Sequence, residues 1–66
     1  MKLRLLINGG CNSQRFDSPT NGSLVKQIAL AHERGDDWNV IHEFGQPLSP
    51  NHAAKLIEAV AERVAS

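Results

Sequence analysis

The chain has 66 residues, with seven basic and seven acidic side chains and a formal net charge of zero when its three histidines are neutral. Hydrophobic residues make up 41%, enough for a packed core and too many for a disordered segment. Cys11 is the only cysteine, which excludes an intrachain disulfide, so a domain this small depends on side-chain packing, a metal or a second subunit for its stability.

Charge and hydropathy narrow the class further. Lys2, Arg4, Arg15, Lys26, Arg34, Lys55 and Arg63 are spread along the chain and balanced by acids, so counterion release contributes little and no nucleic-acid partner is expected. The apolar run Leu5-Leu6-Ile7, broken on its N-terminal side by Arg4, is too short for a signal-peptide core of about 7–15 residues. No stretch approaches the ~20 apolar residues of a membrane span, so no membrane partner is expected and the cytoplasm is the expected compartment.

In chain order, Leu3, Leu5 and Ile7 alternate with Lys2, Arg4 and Asn8, the period-two signature of a half-buried strand. Asn8-Gly9-Gly10 is a turn signal. Gln14-Arg15-Phe16-Asp17 is expected to return as a short antiparallel strand with Phe16 inward; an irregular loop from Gly9 to Gly22 is the alternative. After the turn cluster Ser18-Pro19-Thr20-Asn21-Gly22-Ser23, the apolar residues Leu24, Val25, Ile28 and Ala31 recur at helical spacing. They predict a helix from about Ser23 to Arg34, with Thr20 or Ser23 as N-cap and Gly35 as the left-handed residue past its end. Trp38 to Phe44 reads as a strand, with Trp38, Val40, His42 and Phe44 on one face and Ile41 on the other.

The last segment carries the clearest pattern. Ser49 then Pro50 is an N-cap followed by a first helical residue. Ala53, Leu56, Ile57, Val60, Ala61 and Val64 follow as one apolar stripe, with Lys55, Glu58, Glu62 and Arg63 on the solvated side. The stripe is expected to be buried, its large residues contributing about 1.5–3 kcal/mol each.

These elements predict one α+β domain over residues 1–66, a two-layer β-β-α-β-α arrangement with both helices on one face of a two- to three-stranded sheet. The strand–helix–strand connection is expected to set the first and last strands parallel. The second sheet face is expected to stay open, with free edges that invite association.

No chemical motif is complete. A catalytic thiol at Cys11 would need a helix N-terminus or a cation beside it, and its spacing to Arg15 is too short for a phosphate-handling cysteine loop. His32, His42 and His52 lie ten residues apart without the close pairs of zinc signatures. Glu33, Asp36 and Asp37 gather at a helix-ending turn, where solvated carboxylates are the ordinary outcome.

Lys2 to Asn8, the Gly9-Gly10 turn, Arg15-Phe16, the helix around Leu24, Val25 and Ile28, the strand Trp38 to Ile41 and the corner Gly45-Gln46-Pro47-Leu48 together resemble the front two-thirds of a ubiquitin-like β-grasp module, over residues 2–48. The family ends in a strand followed by Gly-Gly. This chain ends in a helix and Val64-Ala65-Ser66, so the resemblance does not extend to conjugation or sulfur transfer. It implies an open sheet face used for protein binding.

The expected function is therefore a non-enzymatic protein-binding module without a cofactor, a small adaptor or inhibitor of the kind phages and mobile elements encode, acting through an open sheet face or a strand edge. Its contact residues are expected at Trp38, His42 and Arg15, Trp38 being a rigid amphipathic anchor. The alternative is a metal- or thiol-dependent protein using Cys11 with histidines; a structural homodimer is the third option.

Overall fold

A computed structural model describes the backbone of residues 1–66 and every side chain except that of Asn12. The order is β1 (Leu3–Ile7), β2 (Gly10–Phe16), α1 (Gly22–Glu33), β3 (Trp38–His42) and α2 (Pro50–Ala65), an α+β domain with sheet order β2-β1-β3. A hairpin, a helix and a further strand in this order are compatible with a β-grasp-like fold.

The hairpin turns on Asn8 and Gly9, with φ of 51° and 80°, and Ile7 pairs with Gly10. Two left-handed residues in a two-residue loop match the right-handed twist of the flanking strands. The turn is thus Asn8-Gly9, and Gly10 already belongs to β2. Phe16 pairs with Leu3 and is buried, as expected, although β2 starts earlier than Gln14 and stops before Asp17.

β1 and β3 are antiparallel, not parallel: Ile7 pairs with Trp38, Leu5 with Val40 and Leu3 with His42. The reason lies in the full-length hairpin. It returns the chain to the Leu3 end of the sheet, and α1 carries it back to the Ile7 end, where Asn8 N–H donates to Asp37 O at 2.8 Å. β3 must then run against β1. The crossover joins β2 and β3 instead, which are parallel to one another with β1 between them.

α1 buries Leu24, Val25, Ile28, Ala29 and Ala31. Its N-cap is Asn21 rather than Thr20 or Ser23. The Asn21 Oδ1 accepts from Ser23 N–H at 3.0 Å and Leu24 N–H at 3.1 Å, while the Thr20 hydroxyl bonds that of Ser18. At the other end Gly35, at φ 76°, donates to His32 O and Asp36 donates to Ala31 O. This paired Schellman closure turns the chain toward β3.

Two expectations about the apolar face fail. β3 ends at His42, and Phe44 lies in the following turn, 91% exposed instead of sharing the face of Trp38 and Val40. α2 starts as expected, with Ser49 Oγ accepting from His52 N–H and Pro50 in the first turn. Of its stripe only Leu56 and Val60 are buried, however: Leu56 is 3% exposed but Ile57 is 60%. A three-stranded sheet is too narrow to carry two helices side by side in full contact. α2 therefore packs on α1 and inserts one flank, Leu56 and Val60, into the core formed by Leu3, Leu5, Phe16, Leu24, Val25, Ile28 and Val40.

That asymmetry is testable on adjacent residues. Leu56→Ala is expected to lower the unfolding free energy by about 2–5 kcal/mol, as for other buried large-to-small changes. Ile57→Ala should stay within about 0.5 kcal/mol of the parent in the same urea titration.

Candidate interaction surface

The period-two alternation that buries Leu3, Leu5, Phe16 and Val40 sends Arg4, Leu6, Arg15, Asn39 and Ile41 to the opposite side of the sheet. Neither helix covers that side. Across it, Arg4 is the direct partner of both Arg15 and Ile41, and Leu6 is the partner of both Cys11 and Asn39. The face therefore carries two cross-strand rows, Arg15–Arg4–Ile41 at the Leu3 end and Cys11–Leu6–Asn39 next to it, with Leu6 and Ile41 half-buried and diagonal to one another.

The charged groups are specifically placed. Arg4 Nε and Nη2 approach Cys11 Sγ at 3.1 and 2.7 Å, and Arg4 Nη1 donates to Glu43 O at 3.3 Å. The Glu43 carboxylate stands 3.9 Å from Arg15 Nε, beyond hydrogen-bond distance. Arg15 Nη1 donates to Ser13 O and Gln14 O.

The sheet edges are dressed by the chain itself. Val40 N–H donates to Asn39 Oδ1 at 2.9 Å, His42 N–H to Gln46 O at 2.8 Å, and Pro47 bridges to Ile41. On the other side, β2 loses register against β1 between Arg4 and Leu6, and Arg15 occupies two carbonyls of that strand. Bulges, prolines and side-chain caps at an edge oppose the addition of a further strand.

The residues singled out from the sequence do not share one place. Arg15 stands on the uncovered face. Trp38 and His42 are half-buried on the helix side, on the β3 positions that pair with Ile7 and Leu3. Trp38 forms one wall of an open apolar groove of about 400 Å³ with His32, Ile57, Ala61 and Val64. His42 lies against His52 of α2, their ring centroids 6.5 Å apart, and His52 Nδ1 is buried without a hydrogen-bond partner. Cys11 is exposed on the uncovered face and so is separated from this histidine pair by the sheet. Among the described residues no three His, Cys, Asp or Glu side chains are placed to hold a metal ion. Nor, among the described residues, is any helix long and apolar enough to cross a membrane.

Sequence reasoning did not single out Arg4, Leu6 and Ile41 as contact residues. The signal was present in their alternation against Leu3, Leu5 and Val40. Tracing that parity across the strands would have separated Arg15 from Trp38 and His42.

At the Leu3 end, Lys2 Nζ and Asp17 Oδ1 are 2.6 Å apart. The hydrogen bond, aided by Coulomb attraction, raises the Lys2 pKa and lowers that of Asp17. The lowered Asp17 value makes its contribution to stability present above the unfolded carboxylate pKa and lost as pH falls through the folded value; the Lys2 contribution is lost as pH rises through its raised value. Both groups are solvated, so the effect is small and screened by salt. In thermal melts Asp17→Asn should lie slightly below the parent at neutral pH in low salt, and the two should converge in molar salt and at acid pH.

Comparison of the chain with protein-family models, with characterised proteins and with solved structures found no significant match.

Proposed function

We propose that the protein is a non-enzymatic protein-binding module, an adaptor or inhibitor, whose contact surface is the uncovered sheet face. The observation that carries this reading is the one-sided core: both helices lie on the Leu5 side, leaving Leu6 and Ile41 among Arg4, Arg15 and Glu43 on the other. Aliphatic side chains interleaved with arginines on an open face have the mixed character of a protein interface, where Arg is enriched beside apolar contacts. The self-capped edges favour the face over strand addition. The resemblance of residues 2–48 to ubiquitin-like modules points the same way, since it too implies an exposed sheet used for binding.

The test is capture by the immobilised chain, followed by titration calorimetry with the purified partner. Ile41→Glu should weaken that partner at least tenfold, a change of about 1.4 kcal/mol. Ile57→Glu, on the groove side, should leave it unchanged, with thermal melts confirming that both variants are folded. Absence of saturable binding, or loss with Ile57→Glu but not with Ile41→Glu, would overturn the reading.

A further inference from the structure

Arg4 and Arg15 are direct cross-strand partners on the uncovered face. Two like charges in that relation repel, because side chains directly opposite on neighbouring strands are in contact range. Among the described residues no carboxylate lies within ion-pair distance of Arg4; its guanidinium is spent on the Cys11 sulfur and a backbone carbonyl. Sulfur is a weak acceptor, and the planar guanidinium fork matches a carboxylate far better. The nearest carboxylate to Arg15, that of Glu43, is at 3.9 Å and part-exposed.

We propose that this face selects an acidic segment of a partner protein: a carboxylate side chain lies between Arg4 and Arg15 and displaces Cys11 from the Arg4 fork, and an aliphatic neighbour in the segment rests on Leu6 and Ile41. The inference deepens the binding reading above and rests on it.

Charge complementarity identifies this occupant. The chain is neutral as a whole, yet among the described residues the carboxylates within ion-pair distance of Lys2, Arg4 or Arg15 at the Leu3 end are those of Asp17 and Glu43. Asp36 and Asp37 sit by the hairpin turn at the opposite end. Glu58 and Glu62 are on α2, across the sheet. An acidic ligand is thus attracted to one end of one face. The chemistry favours protein over nucleic acid as its source. The paired positions of this face, Arg4, Leu6, Cys11, Arg15, Asn39 and Ile41, include no aromatic ring on which a base could stack, and the Glu43 carboxylate repels a continuous phosphate backbone.

The probe is a fluorescent synthetic peptide alternating glutamate and valine, titrated against the full chain at low salt. A lysine–valine peptide and a single-stranded oligonucleotide of equal charge serve as the other arms. Saturable binding of the glutamate peptide is expected, with amide shifts confined to β1, β2 and the Ile41–Glu43 segment. Arg4→Gln and Arg15→Gln should each weaken it at least tenfold, and Arg4→Lys should weaken it less than Arg4→Gln, because charge without the fork is retained. Bound peptide should also slow maleimide modification of Cys11, a readout that general unfolding would move in the opposite direction. Equal binding of the lysine peptide, preference for the oligonucleotide, or insensitivity to both Gln variants in folded protein overturns the proposal. If the captured partner is lost with Ile41→Glu but kept with Arg4→Gln and Arg15→Gln, the face still binds protein and only the acidic selectivity fails. If Ile41→Glu also has no effect, the binding reading fails with it.

Discussion

The structure depends on one constraint: a single apolar core has to be assembled from alternate residues of three short strands and one flank each of two helices. Leu3, Leu5, Phe16 and Val40 supply the sheet side, and Leu24, Val25, Ile28, Leu56 and Val60 supply the helix side. Both helices are drawn to that one core and neither lies on the second face, so the sheet has a dry side and a wet side. In small domains the hidden fraction of surface is low, and each of these side chains carries a large share of a total stability of only a few kcal/mol.

Backbone closures hold this core in register. The Asn8-Gly9 turn sets the pairing of β1 with β2. Asn8 also ties the hairpin to the start of β3: its side-chain oxygen accepts from Asp37 N–H at 3.0 Å and its amide donates to Asp36 Oδ1 at 3.2 Å. The Schellman closure at Gly35 aims the chain at that same point. The loop between α1 and β3 is therefore held by hydrogen bonds at both its ends, and the place of β3 beside β1 follows. Asn8 is a turn residue in the sequence and a structural clasp in the fold.

The uncovered face follows from the same alternation. Arg4 and Arg15 are brought opposite one another because Leu3 and Phe16, their neighbours in the chain, must meet in the core. Packing on one side thus enforces charge repulsion on the other. Glu43 offsets this in part from the turn after β3. The sheet edges, by contrast, are closed by Asn39, Pro47 and Arg15, so the surface that is left without cover is a face and not a ladder of unpaired amides.

The chain order of the elements, the start of α2, the closing Gly35 and the inward position of Phe16 were legible in the sequence, because each is decided by local rules: alternation, helical period, capping and the left-handed tolerance of glycine. The direction of β3 was not, since it depended on how far β2 extends, and Gly-Cys-Asn-Ser carries no strand pattern of its own. The exposure of Ile57 and Val64 was equally hidden. Periodicity states which residues share a helix face, but the width of the surface waiting for that face is a property of the assembled sheet. At the candidate site, alternation with Phe16 and Val40 already separates Arg15 from Trp38 and His42, but only strand pairing puts Arg15 beside Arg4. Local stereochemistry wrote the elements; the competition of a narrow sheet for a few apolar side chains decided what each of them faces.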